Sequence, residues 1–237
     1  MKLLAFDTST DTLSIAVTRE RDGLAQVWQY TGAGGAQASS TLIPTILSLM
    51  AQAGLRLDEL DAVVFGRGPG SFTGLRTACS VAQGLAFGAG LNVLPLDTLL
   101  AVAEEARLQL AQPAAPCRVM ALLDARMNEM YVAGYEFNAG QWTLQQDDEL
   151  VQPEHLVVPP GWTLAGNAFA AYAERWPAAA AAAPRIPALP TATAMLRLAP
   201  GLLAAGQAVS PEQALPRYIR DKVARTTLER AADKAAA

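Results

Sequence analysis

Two aspartates close apolar runs in the same way. Residues 4–16, LAFDTSTDTLSIA, and residues 121–133, ALLDARMNEMYVA, both read strand, Asp, short turn, strand, with Asp7 and Asp124 in equivalent places 117 positions apart. Two carboxylates on turns beside a shared cleft can hold Mg²⁺, and a Gly-rich turn opening a helix lets backbone N–H groups approach phosphates. Residues 66–76, GRGPGSFTGLR, supply such a turn. The candidate nucleotide cleft is therefore Asp7, Thr8, Gly68, Gly70 and Asp124. Three features count against it. The segment lacks the Lys-Ser or Lys-Thr ending of a P-loop and the third-Gly spacing of a dinucleotide fingerprint. Pro69 removes one donor. Thr8 and Ser9 follow Asp7, and Ala125 and Arg126 follow Asp124, so neither turn has a glycine for close approach. The alternative is that each Asp closes its own turn and the glycines let a helix pack tightly on its sheet.

Other chemistries find less support. A Ser or Cys nucleophile needs a base, and the single imidazole, His155, sits in the loop-like Gln152-Pro153-Glu154-His155. Ser71 and Thr73 have no evident partner, and no His, Cys and carboxylate cluster has metal-ligand spacing. Cys79 and Cys117 stand in apolar surroundings and read as packed, reduced thiols.

The elements that must position the two aspartates alternate in type. Strands are expected over 2–6, 12–18, 24–30, 60–65 and 92–96, with Asp22-Gly23 as a hairpin turn. Helices are expected over 40–53, capped by Ser39 or Ser40, over 73–88, and from 97 or 98 to 110. A meander followed by alternating helix and strand indicates a mixed α/β sheet. The pattern restarts at Arg118 in reduced form: strands over 142–146 and 162–165, a short helix over 167–176, an Ala/Pro connector over 177–190 read as a surface insertion, a helix over 193–206 bent near Pro200, and a strand-like 215–219. The organisation expected is a subdomain over 1–111, a second over 112–220, and a basic tail over 221–237.

Composition sets outer limits. The chain has 237 residues, 51% apolar and 17% charged, with a net charge of −4, which suits a folded chain and not one that binds nucleic acid through its overall field. The stretch from Leu215 onward carries +3 against −7 for the rest. It reads as a solvated face, with nucleic-acid contact at Arg217, Arg220, Lys222 or Arg225 as the alternative. The N-terminus lacks a signal-peptide pattern and no apolar run suits a membrane helix, so a cytoplasmic protein without a membrane partner is expected.

With little catalytic chemistry available, surface becomes the more informative property. On the first helix, Leu42, Ile43, Ile46, Leu47, Leu49, Met50 and Ala53 spread over roughly 160° of the wheel. On the second, Leu75, Ala78, Cys79, Val81, Ala82, Leu85 and Ala86 do the same, with Phe87 outside the arc. Such breadth suggests one face on the sheet and one on a partner, with Leu42, Ile46, Leu49, Met50, Ala78, Val81, Ala82 and Leu85 as the partner-binding residues. The alternative is a deeper core.

LLAFDTSTDTLSIAV, GRGPGSFTGLRTACSVAQGLAFG, LLDARMNEMYVAGY and ALPRYIR, in order from residue 3 to about 220, together resemble the TsaB family, dimerisation subunits of the bacterial tRNA threonylcarbamoyladenosine machinery once grouped with glycoprotease-like proteins. The resemblance implies the duplicated actin, Hsp70 and sugar-kinase (ASKHA) fold. It implies a non-catalytic role beside the homologous catalytic subunit TsaD and the ATPase TsaE, which together modify the adenosine next to the tRNA anticodon. On that reading the chain has no cofactor of its own, ATP and metal belong to the partners, and tRNA is met indirectly through the complex. The pairing helices of the family map onto 40–53 and 73–88. Because isologous pairing is the default for exposed apolar helices, a homodimer of the isolated chain through the same surface is the other partner the sequence leaves open. The catalytic relative's pair of metal-binding histidines has no counterpart, because His155 stands alone. The family often has a His before the first helix's Leu/Ile-Pro, where Ala38 or Ser39 stands here. The runner-up is an ATP-dependent phosphotransferase or a peptidase of the same superfamily.

Overall fold

A computed structural model describes residues 1–21 and 23–220. The expectations for the Asp22 half of the hairpin turn and for the basic tail lie outside the described residues. Among those described, ten strands form two five-stranded sheets. The first half comprises β1 (Lys2–Asp7), β2 (Thr12–Arg21), β3 (Leu24–Ala33), α1 (Ala38–Ala53), β4 (Ala62–Gly68), α2 (Phe72–Ala89), β5 (Val93–Asp97) and α3 (Thr98–Leu108). The second comprises β6 (Cys117–Asp124), β7 (Met130–Asn138), β8 (Gln141–Val151), β9 (Thr163–Gly166), α4 (Ala178–Ala182), β10 (Arg185–Pro187) and α5 (Ala192–Ala204).

The sheet orders are β3-β2-β1-β4-β5 and β10-β9-β6-β7-β8. They are the same order under the substitution of β6–β10 for β1–β5, with matching antiparallel hairpins and parallel crossovers. Asp7 and Asp124 each end the central strand of their sheet. The chain is thus a duplicated α/β structure of the ASKHA type, and its second half is reduced. Only a 3₁₀ turn, Pro153–His155, stands between β8 and β9 where α1 stands in the first half, and the five-residue α4 replaces α2.

Strands β1–β5 form one sheet and β6–β10 the other, but the helices cross between them. The α3 residues Leu99, Val102, Ala103 and Ala106 pack on the second sheet, while Ala194, Met195 and Ala199 of α5 pack on the first. Glu104 of α3 binds the exchange together. Buried at 2% exposure, it accepts hydrogen bonds from Arg107 (2.8 Å), Arg197 of α5 (2.9 Å) and the Trp142 indole of β8 (3.0 Å). Burial raises its pKa, but these donors outweigh that cost and hold the carboxyl below the ordinary glutamate range.

Local chemistry explains where elements differ from expectation. A 3₁₀ turn at Gly35–Gln37 feeds directly into α1, so the helix starts at Ala38, and Pro44 falls in its second turn. Gly54, at φ 61°, ends it. No helix forms over 167–176. There, Asn167, Tyr172 and Arg175 spend their side chains on Asp124, Glu129 and Glu154, and these tertiary bonds outweigh local propensity. The supposed surface insertion at 177–190 instead supplies α4, with Ala180 buried, and the edge strand β10. Residues 215–219 form no strand. Cys79 and Cys117 are both free, and burial pushes both thiols up.

Candidate functional site

The two central-strand turns face a cavity of about 550 Å³ between the halves, lined by Gly70, Phe72, Asp124, Arg126, Arg217 and Tyr218 among others. The structure brings Gly70 and Asp124 to this cavity, but not Asp7, Thr8 or Gly68. Asp7 is fully buried. Its Oδ1 accepts from the Ser9 backbone N–H (2.9 Å) and hydroxyl (2.6 Å), while Oδ2 has no partner. Burial dominates over those two hydrogen bonds and pushes its pKa up to about 6.

The Gly-rich segment explains this enclosure. A Cβ on Gly66 would lie 1.8 Å from Asp7 Oδ2, and one on Gly74 would lie 1.8 Å from the Thr8 carbonyl oxygen. A Cβ on Gly70 would meet Ser9 at 2.6 Å. The Thr8 hydroxyl donates to the Gly74 carbonyl (2.6 Å), and the Ser71 N–H donates to the Ser9 carbonyl (2.7 Å). The glycines therefore let the start of α2 close over the β1–β2 turn, which is the packing alternative raised by the sequence. The turn that would receive phosphates is filled by the chain itself, and Asp7 does not share the cavity with Asp124. These residues do not fit a Mg²⁺-nucleotide held between the two aspartates.

Asp124 is also occupied locally. Its Oδ1 accepts from the Tyr172 hydroxyl (2.7 Å) and the Arg126 backbone N–H (2.8 Å). Burial first, and then this bond, push the tyrosine pKa well above its usual range. Arg126 reaches across the cleft to Asp11 of the first half. It does so from three successive left-handed residues, Arg126, Met127 and Asn128, at φ 60°, 55° and 64°.

A strap formed by residues 214–220 spans the cleft, a feature the sequence did not suggest. The Ala214 carbonyl accepts from Gln83 (2.8 Å) and Cys79 (3.2 Å) of α2, and the Arg217 N–H donates to the Arg67 carbonyl (2.7 Å). The Arg217 carbonyl presses on Gly68, where φ is 122° and a Cβ would sit 2.5 Å away. Arg217 pairs with Asp148, and Arg220 pairs with Glu129 at 2.7 Å. Tyr218 stacks on Phe72, with ring centroids 5.1 Å apart, and Arg76 lies 3.8 Å above the Phe72 ring. The basic side chains read as a solvated face are thus engaged in holding the halves together at Arg217 and Arg220; Lys222 and Arg225 lie outside the described residues.

The two expected docking helices need a correction. Leu42, Ile46, Leu49 and Met50 of α1 and Ala78 and Ala82 of α2 are buried against the first sheet, and Val81 and Leu85 are half-buried beside them. These broad arcs are core, because each helix packs on the sheet and on the other helix. The exposed apolar side chains are instead Ile43 and Leu47 of α1 and Phe72 and Phe87 of α2. The spacing of Ile43 and Leu47, four apart and off the core-facing positions, was the available signal. His155 is exposed, and among the described residues no three His, Cys, Asp or Glu side chains group as metal ligands. No described helix is long and apolar enough to cross a membrane.

Comparison with known proteins matches this architecture. A family model described as TsaD, tRNA N6-adenosine threonylcarbamoyltransferase, matches residues 35–234. The chain is 31% identical over 94% of its length, and 96% of the other's, to the Escherichia coli tRNA threonylcarbamoyladenosine biosynthesis protein TsaB. It is 43% identical to the Haemophilus influenzae protein of that name over 55% of its own length, spanning 52% of that relative. The solved structure of YeaZ from Pseudomonas aeruginosa, 37% identical, superimposes with a TM-score of 0.80 over 92% of this chain and 99% of that one. Matched over most of its length by the family model and by a protein named TsaB, the chain belongs to the TsaB branch of the TsaD family.

Proposed function

We propose that the chain serves tRNA threonylcarbamoyladenosine biosynthesis as a non-catalytic subunit that docks a TsaD-like catalytic homologue, with a TsaE-like ATPase joining the assembly. The observation that carries this reading is the enclosure of Asp7 and Thr8 by Gly66 and Gly74, which fills with protein the place where a kinase-like relative would hold phosphates. ATP and metal then act on the partner subunits, and tRNA is met through the complex.

Docking is assigned to the outer surfaces of α1 and α2. Ile43, Leu47 and Phe87 are 44%, 51% and 72% exposed, and large exposed apolar side chains on adjacent helices suit a protein interface. Gly84 and Gly88 add a second support. Each lies inside α2, and among the described residues no atom beyond the helix's own neighbouring backbone comes within 4 Å of an added Cβ, so no described contact requires glycine there. A glycine inside a helix costs about 1 kcal/mol relative to alanine, and close approach of a partner helix accounts for it.

Reconstitution tests the reading. This chain, the catalytic homologue and their mixture are assayed for tRNA modification with threonylcarbamoyl-adenylate supplied. Modification that depends on the mixture, with none from this chain alone, is the expected result. Transfer, phosphoryl transfer or peptide cleavage by the chain alone would replace it with an enzymatic reading.

A further inference from the structure

We infer that Arg76 is the polar anchor of the docking surface and receives the carboxylate of an acidic side chain on the catalytic homologue. This rests on the docking assignment above and adds the chemistry that must meet it. The 16 residues of α1 and the 18 of α2 contain one charged side chain, Arg76, where a composition 17% charged would place about six. Arg76 is exposed and shares one face of α2 with Ser80, Gly84 and Phe87, spaced four, four and three apart. At 1.5 Å per residue it stands about 16 Å from Phe87, toward the end of the helix where Phe72 meets the cleft. An apolar patch with its charge at the rim has the composition of a protein interface.

The arginines around the cleft are neutralised within the chain: Arg126 pairs with Asp11, Arg217 with Asp148 and Arg220 with Glu129. Among the described residues, Arg76 meets no carboxylate. Its contacts hold the guanidinium in place without cancelling its charge. The guanidinium carbon lies 3.8 Å from the centroid of the Phe72 ring, and Nε donates to the Tyr218 hydroxyl at 3.1 Å. Tyr218 is itself stacked on Phe72, so the strap helps to aim Arg76. Neither Nη group donates to a described residue. A guanidinium fixed through its Nε edge and one face keeps those two N–H-bearing groups for an incoming acceptor, and a carboxylate accepts from such a fork with both oxygens.

An open groove of about 500 Å³ runs beside Arg76, with Ser39, Thr73, Thr77 and Ser80 along it. The hydroxyls of Thr77 and Ser39 are spent on the backbone carbonyls of Thr73 and Ala36. Those of Thr73 and Ser80 donate to no described residue, so they are available to the same acceptor.

The acceptor must come from a different protein. A second copy docking through the same two helices would bring no carboxylate, because α1 and α2 contain none. A phosphate backbone is held by several cations together, and neither helix supplies a second. Arg76 therefore selects for an acidic partner helix, since any other partner leaves its charge unpaired at the contact.

Calorimetric titration of the full chain into the catalytic homologue, without tRNA and at low and high salt, tests the proposal. Wild-type affinity should fall at least about threefold between roughly 50 and 500 mM salt, because the pair at the rim is screened. Arg76→Gln should raise the dissociation constant at least about fivefold at low salt and remove most of that salt dependence. Arg76→Lys should keep the salt dependence with part of the affinity, and Arg76→Glu should bind more weakly than Arg76→Gln, which separates charge from lost packing on Phe72. Wild-type binding that is indifferent to salt, equal binding by Arg76→Glu and wild type, or an effect of Arg76→Gln seen only when tRNA is added would overturn the inference and leave the docking assignment standing. A wild type that does not bind the homologue at all would overturn both.

Discussion

Gly66 and Asp7 share one space: a methyl group on the first would fall 1.8 Å from a carboxylate oxygen of the second. The carboxylate cannot yield, because Ser9 holds its other oxygen and it is fully enclosed. Gly66→Ala should therefore destabilise the fold by about 2–3 kcal/mol, as overpacking does, measured by urea unfolding.

Asp7 also sets a pH dependence. Its folded pKa of about 6 lies above the ordinary 3.8, so protonation favours the folded state. The stabilisation is complete below pH 3.8 and is lost as pH rises through about 6, with a magnitude of about 3 kcal/mol. Asp7→Asn should remove this pH-linked loss between pH 4 and 6, seen as a flatter profile of unfolding free energy against pH.

Glu104 acts with the opposite sign. Its folded pKa is lowered, so its contribution is present above the unfolded value of 4.5 and lost as pH falls through the folded one. Glu104→Ala leaves Arg107, Arg197 and Trp142 without their shared acceptor and should cost about 3 kcal/mol. Loosening should be greatest where α3 and α5 cross between the halves, measured by amide exchange.

Neighbouring residues of α1 should separate folding from association. Ile46 is fully buried and Leu47 is 51% exposed. Ile46→Asp buries a charge without a partner and should abolish soluble folded protein. Leu47→Asp should change stability by no more than about 0.5 kcal/mol while weakening partner binding, read by calorimetry.

Gly84 gives a test with opposing signs. Gly84→Ala should raise stability by about 1 kcal/mol, because the helix gains an alanine into open space. The same methyl group should lower affinity for the catalytic homologue if a partner helix approaches there. Increased stability with unchanged affinity would remove α2 from the docking face.

Much of the fold could be read in the sequence, because its signals are local and repeated. The Asp7 and Asp124 turns revealed the duplication, and the first helix ends at residue 53 as expected, where Gly54 takes a left-handed backbone. What could not be read depends on pairs distant in the chain. The exchange of α3 and α5 rests on Glu104 meeting Arg197, and the strap on Arg217 meeting Gly68, contacts that no periodicity encodes. The burial of the candidate docking residues could not be read for a related reason. A broad apolar arc suits two-sided burial equally well when the second side is a neighbouring helix of the same chain, as it is for Leu42 and Ala78.

The most direct test of the docking account titrates the catalytic homologue with this chain and reads tRNA modification, comparing wild type with Ile43→Asp/Leu47→Asp. The account predicts that wild type restores modification in proportion to complex formed. The double variant, folded by circular dichroism, should require at least about tenfold more protein for the same yield, as loss of interface anchors does. Equal activation by both proteins, or modification that proceeds equally without either, would contradict it.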